Sequence, residues 1–292
     1  MRQIFKNTSL ILFLLLFSTL LQAQDKYNKS AGQNAIYEER KDEKSGEIKR
    51  EKVAADEYGN AQGNQYDLAV DGAFEGNTIA VLQLYSEPRF DFALPKAALK
   101  EKGFSVYRWI DNPPTPEELK KALEKSCQLW IISSYSQKLN AGHLKVIKEF
   151  FDQGHGVYIW GDNKPYYADA NFVAQALLGG VMEGDLPGDK VVGMKAKDTK
   201  SGLLPGHLIT TGLQFIYEGI TIATINPNQN LRPLIYGSEG NLVAAYYNNN
   251  GKRAILDGGF TRLYISWDAA GTGRYVKNAA AWLVNIERFE GK

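Results

Sequence analysis

The chain has 292 residues, with Lys and Arg (34) nearly matched by Asp and Glu (33), a net charge of +1 and a single cysteine, Cys127. One thiol can form neither an intramolecular disulfide nor a cysteine-rich zinc site. No block of basic residues is interleaved with aromatics, so nucleic acid is not expected among the partners.

Arg2 and Lys6 precede an apolar run from Leu10 to Leu21, and Leu21-Gln22-Ala23 precedes Gln24. This is the three-part layout of a secretory leader cleaved after Ala23. The run is short for a spanning helix, which needs about 20 residues. No cysteine near the cleavage point invites lipid attachment. Residues 1–23 therefore read as a signal peptide, and the mature protein as periplasmic or secreted, without stable membrane insertion. From Gln24 to Asn77 the chain is polar and charged, with the run Glu38-Glu39-Arg40-Lys41-Asp42-Glu43-Lys44 and recurring glycines. Such a segment buries too little apolar surface to offset its ordering entropy, so 24–77 is expected to be a flexible arm. Tyr58, Tyr66, Leu68 and Phe74 are the residues able to dock its end.

At Thr78 the character changes. Thr78 to Tyr85 is a continuous apolar run, expected for a strand buried on both faces. A helical pattern over Phe92–Lys102 ends at Gly103, and Phe104–Ile110 reads as a second strand. Thr115 is placed as N-cap, with Pro116 at the first position, of a helix to Ser126. Gln128–Ser134 is the third strand, and Asn140 caps a helix to Gln153 that ends at Gly154. Gly156–Gly161 is the fourth strand and Asp169–Leu178 the fourth helix. Strands alternating with helices at this spacing imply a doubly wound, mostly parallel sheet in a three-layer α/β sandwich over residues 78–290. After Gly180, strands are expected at Val191–Met194, Phe215–Ile225 and Leu242–Tyr247. The turn Asn248–Gly251 joins the last of these to Arg253–Asp257 as a late β-hairpin, and a final helix covers Arg274–Ile286.

Four stretches in this order resemble the class I glutamine amidotransferase-like superfamily, and within it ThuA-like (trehalose-utilisation-like) and related exported members. They are Leu139–Gly161, Gly206–Leu213 (GHLITTGL), Leu242–Phe260 (LVAAYYNNNGKRAILDGGF) and Tyr275–Ile286. The resemblance implies a flavodoxin/amidotransferase-like sandwich with an elbow after the fourth strand. In the catalytic members that elbow presents a cysteine, supported by a downstream His and Glu. Here it reads Ile159-Trp160-Gly161-Asp162-Asn163-Lys164-Pro165, and Cys127 lies one strand–helix unit too early to substitute. The late hairpin ends in Gly258-Gly259-Phe260, where relatives often place a histidine. Glutaminase and Cys-dependent hydrolase chemistry are therefore not expected.

The carboxyl ends of the strands of an open α/β sheet face the crevice where ligands bind. Asp162 and Asn163 are placed there. One reading makes Asp162 a general acid/base or a metal ligand, with His207 as its partner; the other makes Asp162 and Asn163 a polar turn, with His207 bonded to loop backbone. Tyr166, Tyr167 and Trp267 are candidate rings for stacking on a ligand. Asp257, Arg262 and Asp268 could line the same rim. Of the three histidines, His155 lies in a helix-to-strand turn and His143 on an exposed first helical turn. No H-x-H or H-E-x-x-H spacing occurs, so no metal and no cofactor are expected. Two functions remain open: an exported, non-catalytic binding or scaffold module for a glycan, peptide or protein, or a carbohydrate-related hydrolase-like enzyme built on Asp162 and His207.

Overall fold

The computed structural model describes residues 37–267 and 270–289. The expected leader, its expected cleavage point at Ala23, and Asp268 lie outside the described residues. Contacts divide the chain into two units at Gln62/Gly63. Among the described residues no helix is long and apolar enough to cross a membrane.

In the first unit, expected to lack regular structure, β1 (Tyr37–Lys41) and β2 (Ile48–Lys52) pair as an antiparallel hairpin. Local chemistry forms it. Asp42 Oδ1 accepts from the N–H groups of Lys44 and Ser45, and Gly46 takes the left-handed φ of 74° that the turn requires. Across the strands Glu39 faces Arg50, whose guanidinium lies 4.5 Å from the Tyr37 ring centre. Backbone and Lys49 hydrogen bonds hold the Asp42 carboxyl down at about 2.

The second unit begins at Gly63, not at Thr78. Its first residues are anchored by charge. Buried Asp67 pairs with Lys102 (3.0 Å), Arg274 (2.8 Å) and Lys277 (2.8 Å). Burial pushes its carboxyl up, but hydrogen bonds from Lys277, Arg274 and Lys102 outweigh this and hold it below the usual range. Phe74 stacks on Phe104 at 4.6 Å. At Gly103, where φ is 93°, a Cβ would stand 2.6 Å from the Glu75 amide nitrogen. Only glycine both ends the preceding helix and admits this segment.

The rest is a three-layer sandwich. In chain order the elements are β3 (Thr78–Gln83), α1 (Ala93–Glu101), β4 (Ser105–Ile110), α2 (Pro116–Leu123), β5 (Gln128–Ile132), α3 (Ala141–Asp152), β6 (Gly156–Trp160) and α4 (Ala168–Leu178). Then come β7 (Met182–Pro187), β8 (Val191–Gly193), β9 (Gly202–Leu203), β10 (Phe215–Tyr217), β11 (Thr221–Ile225), β12 (Arg232–Tyr236), β13 (Leu242–Asn249) and β14 (Lys252–Asp257). The chain closes with α5 (Thr272–Leu283) and α6 (Ile286–Phe289). The eight-stranded sheet has the order β4-β3-β5-β6-β14-β13-β12-β9. Its first five strands are parallel and the late hairpin adds the antiparallel remainder. One face packs Val81, Trp130, Tyr158 and Ile255 against α1 and α5; the other packs Leu82, Ile131 and Ile159 against α2, α3 and α4. Each fully buried Leu or Ile contributes about 1.5–3 kcal/mol, which is why the central strands β3, β5 and β6 carry apolar runs.

Capping follows the sequence. Thr115 Oγ1 accepts from Glu118 N–H while Thr115 N–H donates to Glu118 Oε2. Asn140 and His143 form the equivalent box at α3. His143 is consequently buried, contrary to the expected exposure: Nδ1 accepts from Asn140 N–H, so Nε2 carries the proton that bonds Pro114 O at 2.7 Å. The expected strand Phe215–Ile225 is two strands broken at Gly219, where φ is 115°. The hairpin turn shrinks to Asn250-Gly251, both at positive φ, and the last helix starts at Thr272 and stops at Leu283. β7, β9 and β12 carry no apolar run: Glu183, Gly184 and Asp185 interrupt the first, the second has two residues, and Pro233 sits in the third.

Candidate functional site

Chain reversal in the sheet marks the site. From β3 the chain crosses through α1 to β4 on one side, and from β5 through α3 to β6 on the other. The crevice at the carboxyl ends of β3 and β5 is the topological switch point where α/β folds bind ligands. Here that rim is packed with aromatic rings. The Tyr85 ring, just beyond β3, meets Tyr166 edge-on at 5.4 Å and Phe260 at 5.0 Å, and Phe90 stacks on Tyr264 at 4.4 Å. The Tyr85 hydroxyl donates to Glu87 Oε2 at 3.3 Å, and burial pushes both the Tyr85 and Tyr264 phenols up. Lys138 Nζ closes the floor, donating to Leu84 O and Asp111 O. Tyr135, beyond β5, remains exposed.

The elbow sits beneath these rings. At Gly161 a Cβ would stand 2.5 Å from Met182 Sδ and 3.1 Å from Tyr167 Cβ, so the turn tolerates no side chain there. Asp162 is 1% exposed. Its Oδ1 accepts from Asn163 N–H (2.8 Å) and lies 3.0 Å from Thr221 Oγ1, while Oδ2 accepts from Thr261 N–H at 3.0 Å. Burial pushes the carboxyl up to about 7, against those hydrogen bonds. Thr221 Oγ1 also lies 2.8 Å from Asn163 Oδ1, whose Nδ2 donates to Asp185. A threonine hydroxyl has one proton. The neutral acid satisfies the chain fully, Asp162 donating to Thr221 and Thr221 to Asn163. The elbow carboxyl thus ties the turn after β6 to β11 and to the loop after β14.

His207 lies elsewhere. Its Nδ1 accepts from Ile209 N–H, capping the short turn Leu208–Thr210, and its ring packs 4.1 Å from Tyr246 and 5.1 Å from Trp282. Burial, with the Arg253 charge, lowers it to about 4. Tyr246 pairs with Ile255, and Ile255 with Tyr158, four residues before Asp162. At about 3.3 Å per residue that is about 13 Å along the strands. The expected acid/base pair of Asp162 and His207 does not form.

The remaining candidates are placed as follows. Asp257 and Arg262 are wholly buried in a two-pronged ion pair of 3.1 and 3.2 Å. Tyr158 and Tyr275 hydroxyls and Gly259 N–H also donate to Asp257, while Arg262 bonds Glu218 O. Neither faces a crevice, so their expected place on the ligand rim is corrected: they brace the core behind the elbow. Trp267 is buried, its ring 3.5 Å from where a Gly273 Cβ would stand. Tyr167 begins α4 and Tyr166 belongs to the aromatic rim. Tyr85, Phe260 and Tyr264 are the rim residues that reading the sequence missed. Tyr85 closes the apolar run of β3, and that position was the available signal. Cys127 lies at the amino end of β5, its thiol 3.3 Å from Thr78 O and pushed by burial up to about 11. Among the described residues no group of three His, Cys, Asp or Glu is placed to hold a metal.

Fold and rim together define a doubly wound α/β sandwich whose switch point is rimmed by aromatic side chains. No family model and no curated protein matches the chain. Solved structures similar to it include a ThuA-like protein from Parabacteroides merdae, 12% identical over 72% of this chain and 90% of that one, with a TM-score of 0.46. An exo-β-1,4-mannosidase from an Opitutaceae bacterium is 12% identical over 72% of this chain, which spans 36% of the mannosidase, with a TM-score of 0.41. The glutaminase domain of Trypanosoma brucei CTPS is 11% identical over 70% of this chain and 94% of that domain, with a TM-score of 0.37.

Proposed function

We propose that the chain is an exported, non-catalytic binding module built on an amidotransferase-like sandwich, which engages a glycan through the aromatic rim of its switch point. The observation that carries this reading is the state of Asp162: the elbow position holds a carboxyl sealed from solvent and committed to the turn. Such a group has no route to a substrate proton, and a nucleophile would need both exposure and an adjacent base. Tyr135, Tyr85 and Tyr166 offer the rings, since a flat sugar face stacks on exposed or half-buried tyrosine. The alternative, a carbohydrate-directed hydrolase, requires Asp162 and His207 within reach of one substrate.

The test uses the mature chain. Ammonia release from glutamine and nitrophenol release from nitrophenyl glycosides are measured beside tryptophan fluorescence titrations with soluble oligosaccharides. The expected result is no turnover, with saccharide binding weakened by Tyr135→Ala and Tyr166→Ala and retained by Asp162→Asn. Turnover abolished by Asp162→Asn would overturn the reading, and so would saccharide binding indifferent to both tyrosine changes.

A further inference from the structure

The sheet ends on an open strand. Among the described residues β4 is its terminal member, paired on one side only, with β3. Ser105 N–H donates to Asn77 O and Asp111 N–H to Gln83 O, so the odd-numbered residues turn their backbone groups inward. Those of Val106, Arg108 and Ile110 face outward. Natural edge strands are usually short, proline-bearing, bulged or covered. β4 runs six residues (SVYRWI) in unbroken register. It exposes Tyr107 by 53% and Ile110 by 48%. Tyr107 and Trp109 project on the face that carries α2, their rings edge-to-face at 4.8 Å. Beside them opens a cavity of about 470 Å³ lined by Thr78, Tyr107, Glu118, Lys121, Ala122 and Lys125. Glu118, Lys121, Ala122 and Lys125 form one stripe of α2 and the turn after it, at helical i, i+3, i+4, i+7 spacing.

The charges of this stripe are arranged for a copy of itself. α2 has Glu117 and Glu118 in its first turn and Lys120 and Lys121 in its last. A two-fold axis normal to the sheet sets the helix antiparallel to its mate, so the acidic start of each faces the basic end of the other.

We infer that β4 is a homodimer interface, where two copies join antiparallel, β4 to β4, about a two-fold axis through Tyr107. Facing residues of an antiparallel pair share a side of the sheet. The register that places Tyr107 opposite the partner's Tyr107 therefore sets Val106 opposite the partner's Arg108 and Ser105 opposite the partner's Trp109. Val106 and Arg108, whose groups point outward, become the hydrogen-bonded pairs. Tyr107 is the non-hydrogen-bonded pair, with Cα atoms about 4.5 Å apart. α2 crosses from β4 to β5 over β3, so the two copies of α2 stand about three strand spacings apart, about 14 Å. The facing Tyr107 rings fill that gap, and the acidic first turn of each α2 stands toward the basic last turn of its mate across it.

The test is the mass of the full mature chain by sedimentation and light scattering. Wild type is expected to be a dimer. Tyr107→Glu and Tyr107→Lys, each placing like charges face to face at the axis, are expected to be monomers with wild-type circular dichroism and a melting temperature that no longer depends on protein concentration. Mixing the two variants restores a dimer, because opposite charges then face each other. Tyr107→Cys is expected to oxidise to a covalent dimer, since the Cα separation suits a disulfide, while Ser105→Cys stays reduced because it faces the partner's Trp109. A monomeric wild type overturns the inference. So does a dimer that survives Tyr107→Glu, or Tyr107→Cys that yields no cross-link.

Discussion

Replacing Asp162 by asparagine separates a structural carboxyl from a catalytic one. In the native protein the group is pushed up to about 7, whereas the same acid in an unfolded chain titrates near its model value of 3.8. Between these values the unfolded chain releases a proton that the folded protein keeps. Stability therefore falls as the pH rises through that window, by on the order of 3–4 kcal/mol for this group. Asparagine cannot titrate. Its Oδ1 can still accept from Thr261 N–H, and its Nδ2 can donate to Thr221 Oγ1. It leaves Asn163 N–H facing another donor, at a cost of about 1–3 kcal/mol. In urea unfolding the variant is thus expected to be weaker than wild type near about pH 4.5 and equal or stronger near about pH 8. Subtracting the two stability profiles isolates residue 162 from every other titrating group. A difference that is flat with pH, or that grows in favour of wild type toward alkaline pH, would refute the reasoning.

Asp67→Ala leaves Lys102, Arg274 and Lys277 without their shared anion; removing one partner of a buried charge cluster costs about 3–5 kcal/mol. Because its pKa is held below the usual range, its stabilisation is present above the unfolded value and lost as the pH falls through the folded one. Chemical denaturation of wild type and Asp67→Asn across the acid range should show their difference vanish toward low pH. Cys127, pushed up to about 11, should react with a disulfide reagent near about pH 8 far more slowly in the native protein than in denaturant; equal rates would place the thiol at the surface.

What the sequence made legible follows the range of the forces involved. The strands β3, β5 and β6 carry apolar runs because they are covered on both faces, and the caps at Thr115 and Asn140 are local chemistry, so both could be read directly. The elbow was located for the same reason: it follows a strand and contains Gly161. Its chemistry was not legible. Thr221 and Thr261, which seal Asp162, lie 59 and 99 residues away. His207 sits in a stretch resembling a family motif, yet the nearby Ile209 amide and the remote rings of Tyr246 and Trp282 occupy it. Arg262 and Asp257 looked like rim residues because charged side chains are seldom wholly buried; their pairing inside the core needed the aromatic shelter of Trp160, Tyr158 and Tyr275. The arm boundary at Asn77 failed for a related reason. A composition poor in aliphatics conceals an anchor made of charge, and Asp67 finds its cations at Lys102, just after α1, and on α5.

That anchor also governs the order of assembly. Arg274 reaches Asp67 across 207 residues of chain, and Leu68 N–H donates to Asn278 across 210. Contacts of such separation are the slowest to form. A nascent chain can pair β3 with β4 and β5 early, but the face of the sheet that α5 covers stays bare until the last helix has been synthesised. The two ends of the α/β unit latch each other, so these contacts form only once α5 is present. Until then, Val81, Trp130 and Tyr158 remain accessible to whatever receives the polypeptide as it emerges.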